Sequence, residues 1–125
     1  MNQNRFFDFS TIEMKKFDDK LYLHRIVGQE LAVVYARFEK GATHTNIQHS
    51  NEEFFYVLSG HIDVDIGEEN YTLLSENGVL IPGNEFHSMY AQEDSIALIS
   101  FAPPISEEEA SEIKNKMHHK GSRNM

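Results

Sequence analysis

An all-β fold, an antiparallel β-sandwich or barrel with one short helix at its C-terminal end, is what this sequence predicts, and three observations carry the expectation. Short runs rich in β-branched and aromatic residues recur along the chain, separated by Gly, Asn, Asp or Glu turns. Within "HIDVDI" the alternation is strict, with Ile62, Val64 and Ile66 on one face and His61, Asp63 and Asp65 on the other. After "FAPP" the period-two pattern stops and a helical one begins.

Taken in order, the expected strands are 31–38 (LAVVYARF), 53–60 (EFFYVLSG), 61–67 (HIDVDIG), 70–74 (NYTLL), 78–82 (GVLIP), 86–91 (FHSMYA) and 95–101 (SIALISF). "GEEN" and "SENG" supply turns between them, and Pro82 belongs at a strand end, where its missing N–H costs least. Pro103 and Pro104 break the sheet pattern. Ser106 and Glu109 then have the spacing of a capping box, with acidic residues in the first turn. Ala110, Ile113 and Met117 fall on one stripe, so a helix over about 106–117 is expected to pack on the sheet. His118, His119 and Lys120 put basic groups at its far end, where the helix dipole favours them. With 125 residues, 40% of them hydrophobic, the chain is expected to form a single domain over 1–125 with its core over about 22–104.

Composition narrows the function classes. There is no cysteine, so any metal must be held by His, Asp, Glu or neutral oxygen donors. The net charge is −9 and the 11 basic residues are dispersed, which excludes a phosphate-tracking nucleic-acid surface. No segment approaches the ~18 apolar residues of a membrane span, and the N-terminus has no signal-like apolar run. The expected setting is therefore the cytoplasm, with a small molecule as ligand or substrate and neither nucleic acid nor membrane as partner.

The stretch "GATHTNIQHSNEEFFYVLSG", residues 41–60, has the spacing of a metal-binding hairpin. Residues two apart in a strand share a face, so 47 and 49 point the same way, and a turn through Ser50, Asn51 and Glu52 brings Glu53 alongside His49. A later strand carries His87. His49, Glu53 and His87 could thus converge on one cation, which needs several deprotonated donors gathered from distant positions. Ile47 stands where a further imidazole would complete the set. His44 is a possible replacement ligand, but its parity is opposite to His49, and only a bulge or irregular loop would turn it inward. Ile47, Phe55, Val57 and Met89 share the ligand faces and are expected as pocket walls. Glu52 has the wrong parity, and His24 and His61 read as ordinary strand histidines. Tyr35 and Arg37 share a face that would line either the pocket or a subunit contact.

Residues 41–60 and 76–91 resemble the two motifs of the cupin superfamily, and Gly41, His49, Glu53, Gly60, Pro82 and His87 match them at the family's spacings. The resemblance implies a jelly-roll sandwich or barrel of cupin type. Three departures stand out: Ile47 replaces the first motif histidine, Asn84 a usual glycine, and Glu76-Asn77 an opening Gly-Asp. "RIVGQELAVVYARFEKGA" and "HSMYAQEDSIALISFAPP" are similar to the small single-domain cupins that open unsaturated uronate rings in pectin breakdown, and to polyketide-cyclase cupins. The uronate enzymes carry Phe-x-Pro-x-Arg near the end. Phe101 and Pro103 fit that pattern, but Ile105 takes the arginine's place.

His49, Glu53 and His87 have the composition of a two-histidine, one-carboxylate facial triad with open positions, suited to Fe(II), Mn(II), Ni(II) or Zn(II). The function expected first is a metal-dependent lyase, isomerase or cyclase acting on a carbonyl- or hydroxyl-bearing metabolite, with Glu53 and His87 as catalytic residues. A metal-free protein that binds a small ligand, or uses a His–Glu acid–base pair, is the first alternative, and a non-haem iron oxygenase the second. A homodimer is also expected, because "EFFYVL" is apolar on both faces, which leaves Phe54, Tyr56 and Leu58 to contact a second sheet or subunit.

Overall fold

The computed structural model describes residues 5–120, apart from the side chains of 117–120, and it has the expected all-β architecture. In chain order the described elements are β1 (Lys15–Asp18), β2 (Leu21–Val27), β3 (Ala32–Phe38), β4 (Thr43–Ile47), β5 (Glu52–Ser59), β6 (His61–Ile66), β7 (Glu69–Leu74), β8 (Asn77–Ile81), β9 (His87–Ala91), β10 (Ser95–Ala102) and α1 (Glu107–Lys120). They form two antiparallel sheets, one of order β1-β2-β3-β10-β5-β8 and one of order β4-β9-β6-β7. The two inner faces close a jelly-roll sandwich around a core whose deepest side chains include Phe55, Val57, Ile62, Val64 and Ile81. Among the described residues no helix is long and apolar enough to cross a membrane.

The expected hairpin within 41–60 is not one. β4 and β5 lie in different sheets, so residues 48–51 cross from one layer of the sandwich to the other. Asn51 anchors the crossing by donating to the Pro103 carbonyl at 2.6 Å. Sequence neighbours with a short connection usually pair, and that expectation fails here because each strand already has better partners. β4 pairs with β9, and β5 lies between β10 and β8.

The departures from the motif glycines keep the glycine conformation. Glu76 has φ 71° and Asn84 φ 69°, both in the left-handed region. Asn77 accepts the Leu74 N–H through Oδ1 at 2.9 Å, a contact an aspartate could make equally. Glu76 is exposed, so its side chain offers little to offset the steric cost of that φ. Glu76→Gly is therefore expected to stabilise the fold by roughly 0.5–1 kcal/mol, the left-handed penalty less the extra chain entropy of glycine. Urea unfolding of the two proteins measures it, and a destabilised variant would show that Glu76 makes a contact worth more than the strain. Gly60, by contrast, has φ 108° and sits where a Cβ would lie 2.2 Å from Ser95 Oγ, so no side chain fits.

Helix α1 starts as the sequence implies. Ser106 Oγ accepts the Glu109 N–H and Glu109 Oε1 accepts the Ser106 N–H, each at 3.0 Å, which satisfies two end donors reciprocally. Lys114 ties the helix to β1 by donating to the Phe17 carbonyl at 2.8 Å, with its ammonium 4.8 Å from the Phe17 ring centroid. The Met117 side chain and those of His118 and His119 lie outside the described residues.

Phe54, Tyr56 and Leu58 project from the outer face of the six-stranded sheet, and among the described residues no second sheet covers them. Phe54 is 44% and its cross-strand partner Leu80 57% exposed.

Candidate metal centre

Glu53 enters the sandwich on the inward face of β5, and only 2% of its surface reaches solvent. A carboxylate in that position is costly unless it is paired. His49 and His87 supply the pairing. His49 comes from the inter-sheet crossing and His87 from the start of β9. Each ring is fixed through its other nitrogen: His49 Nδ1 donates to the Asn51 carbonyl at 3.1 Å and His87 Nδ1 to the Glu85 carbonyl at 3.0 Å. A carbonyl can only accept, so the proton sits on Nδ1, and a neutral ring presents its Nε2 lone pair to Glu53. Asn84 holds the crossing as well, its N–H donating to the His49 carbonyl at 2.7 Å.

The three donor sets converge. His49 Nε2 is 3.0 Å and His87 Nε2 3.3 Å from the same oxygen, Glu53 Oε1. His87 Nε2 is buried and out of hydrogen-bond alignment with every neighbour, so its 3.3 Å approach is an ionic contact only. One ligand atom from each residue lies within 4.8 Å of the other two. Lone pairs aimed at a carboxylate repel it unless a proton or a cation lies between. The donor set therefore fits a divalent transition metal: two imidazoles with tautomers fixed by carbonyls, one carboxylate, and a nitrogen with no hydrogen bond to lose.

Without a metal, protons take that place. Burial pushes the Glu53 pKa up, but the contacts with His49 and His87 outweigh it and hold the carboxyl below its ordinary range. Burial pulls His87 down, and the Glu53 carboxylate together with the Glu85 carbonyl raises it above the usual histidine value. Both shifts favour the ionised form of their group, the carboxylate of Glu53 and the imidazolium of His87.

Around this centre lies a cavity of about 130 Å³ available to the centre of a water molecule, with an almost wholly apolar wall. Ile47 and Met89 line it. Ile47 is the register partner of His87 across β4 and β9, so it stands beside the ligand group on the side where the family motif has its first histidine. Phe55 and Val57 do not line the cavity. They share the inward face with Glu53, but each further step along β5 carries the side chain deeper between the sheets, and both are core residues. Alternation reports the face a residue occupies and not its depth.

His44 is turned inward by an irregularity of the kind its parity required. The β4–β9 register shifts between His44 and Ile47, with Asn46 at φ 58°, and His44 lines the cavity. It does not join the ligand group. Its Nε2 faces Asp18 Oδ2 at 3.5 Å, so the carboxylate at the end of β1 takes the imidazole that the sequence offered as a replacement ligand. Tyr35 and Arg37 lie on the outer face of β3, Tyr35 stacked on Phe9 at 4.7 Å and Arg37 4.6 Å from the Tyr22 ring centroid, and neither lines the cavity. His24 Nδ1 contacts the Glu13 carbonyl, His61 pairs with Asp63, and Glu52 is exposed.

Arg25 is the residue that pattern reading passed over. It follows Leu21 and Leu23 on the inward face of β2 and lines the cavity, with its side chain 17% exposed. The available signal was its place in the alternate row Leu21-Leu23-Arg25, where a charge interrupts an apolar face.

Comparison with known proteins agrees with this architecture. The family profile described as "Cupin domain" matches residues 34–101. An uncharacterized protein of Streptomyces coelicolor is 26% identical over 90 residues, 71% of this chain and 86% of its own. The structure of KdgF from a Halomonas species superposes with a TM-score of 0.76 at 23% identity, covering 82% of this chain and 96% of that one. A RmlC-like cupin from Shewanella frigidimarina gives the same TM-score of 0.76 at 20% identity, covering 82% of this chain and 93% of that one. These two solved structures establish likeness of fold.

Proposed function

This chain belongs to the cupin domain family, and from that premise we propose that it is an enzyme in which His49, Glu53 and His87 hold a divalent transition metal (Fe, Mn, Ni or Zn). Its reaction would be that of a lyase, isomerase or cyclase on a small carbonyl- or hydroxyl-bearing metabolite. The observation that carries this reading is the convergence of two carbonyl-locked imidazoles and one buried carboxylate at the wall of a cavity. A bound divalent ion would supply Lewis-acid polarisation of a substrate oxygen, and with Fe(II) the same centre would suit an oxygenase. The chain's own residues do the remainder. The Asn51 and Glu85 carbonyls keep the rings aimed, and Ile47 and Met89 exclude water from one side of the centre.

A second reading has one observation in its favour. Glu53 and His87 are displaced in opposite directions from their ordinary pKa values, which suits a metal-free pair with Glu53 as base and His87 as acid. Elemental analysis of protein purified without added metal separates the two. The metal reading expects about one transition-metal ion per chain. Protein that carries none, and takes up none on titration, would leave the acid–base pair.

The same reading includes a homodimer formed through the outer face of the six-stranded sheet. Phe54, Leu58 and Leu80 expose apolar side chains there, and a second copy of the same face would cover them. Light scattering at micromolar concentration is expected to give twice the chain mass for wild type and the chain mass for Leu80→Lys. A monomeric wild type would remove this part of the reading.

A further inference from the structure

The cavity combines a nearly continuous hydrocarbon wall with one permanently charged cation, Arg25. Leu21, Leu23, Phe38 and Phe101 contribute apolar surface, and α1 adds Ala110 and Ile113 to the wall. A polyhydroxylated sugar acid would lose its water here without gaining hydrogen bonds, because so little of the wall is polar. Arg25 sits on the same wall. Its guanidinium donates from Nη2 to the Ile105 carbonyl, and the nearest carboxylate among the described residues, Glu107, stands 4.0 Å away with its side chain 91% exposed. A contact of that kind neutralises little of the charge. The fork keeps further donors, and it is held at one angle by the backbone of Ile105.

From this arrangement we infer that the cavity takes an apolar carboxylic acid, a fatty or aryl-alkyl acid and not a sugar acid, with its carboxylate on Arg25 and its hydrocarbon body along the wall toward His49, Glu53 and His87. The inference rests on reading this cavity as the substrate site, and it holds whether or not a metal occupies the centre. Arg25 is then a specificity-determining residue. An arginine fork matches a carboxylate in two parallel hydrogen bonds, and an otherwise apolar pocket strengthens that pairing.

The test compares octanoate, octan-1-ol and galacturonate as probes of the full-length chain by calorimetry, in metal-free protein so that the carboxylate has no ion to coordinate. Wild type is expected to bind octanoate roughly ten- to a hundredfold more tightly than octanol, the range for a charged hydrogen-bonded pair, and galacturonate not detectably. Arg25→Met should lose that preference while binding octanol as wild type does, which shows the pocket intact. Equal affinity of wild type for octanoate and octanol would overturn the inference, as would galacturonate binding as tightly as octanoate. So would an Arg25→Met protein that loses both linear probes together, since Arg25 would then act only through Ile105 and α1. Manganese titration of the same samples keeps the two readings apart: intact metal binding with no carboxylate preference sinks this inference alone, and the converse result sinks the metal centre alone.

Discussion

Glu53→Gln is expected to weaken divalent-metal binding by more than about a hundredfold, because loss of a direct ligand should exceed the roughly 10–100-fold cost of losing an outer-shell partner. The substitution keeps the side chain's size and removes its charge. Glu53 Oε1 is the one atom that both imidazole nitrogens approach, at 3.0 and 3.3 Å, so it is the point on which the donor set converges. The glutamine amide can donate to an Nε2 lone pair, which lets the variant fold with the rings in their present tautomers. The His87 pKa, raised in the parent by the Glu53 carboxylate, should then fall as burial prevails. In the parent, acid and metal compete for the same nitrogen. Affinity should be full above the raised His87 pKa and decline as the pH drops through it. Calorimetric titration and histidine NMR check both outcomes; parental affinity in Glu53→Gln would remove Glu53 from the ligand set.

Phe55→Ala should cost about 3–5 kcal/mol of folding stability, the usual range for deleting a fully buried aromatic ring. Phe55 is 0% exposed and packs against Phe38 with ring centroids 5.9 Å apart, in the middle of the cluster shared by both sheets. Its neighbours on β8 and β10 are fixed by strand pairing, so the space it leaves can close only in part. Urea unfolding measures the loss. A cost below about 1 kcal/mol, typical of a residue at a surface or a yielding pocket wall, would contradict its placement in the core.

β3 and β5 to β10 were legible as short runs of β-branched and aromatic residues between turn signals, and Ser106 with Glu109 announced the helix start by chemistry alone. His49, Glu53 and His87 were legible because their spacing is a consequence of the fold. β1, with the sequence KKFD, was not: it pairs only with β2 at a sheet edge and carries no alternation. His44 turned inward as a bulge allows, yet its partner Asp18 comes from that unrecognised strand. Arg25 was missed for a related reason. A charged residue in a strand is normally read as outward, and only the sandwich shows that the row Leu21-Leu23-Arg25 ends at a cavity. Phe55 and Val57 show the limit of alternation, which gives the face but not the distance along it from the site.

Ile47 is the residue on which the altered-site account turns. It is buried, lines the cavity, and lies directly across the β4–β9 register from His87. A histidine there would enter beside His87 on the inward face. The most direct test is a competitive metal titration of wild type, Ile47→His and His87→Ala. The account predicts measurable binding by wild type, tighter binding by Ile47→His as a fourth protein ligand is added, and much weaker binding by His87→Ala. Equal affinity in all three proteins, or no binding in any of them, would contradict it.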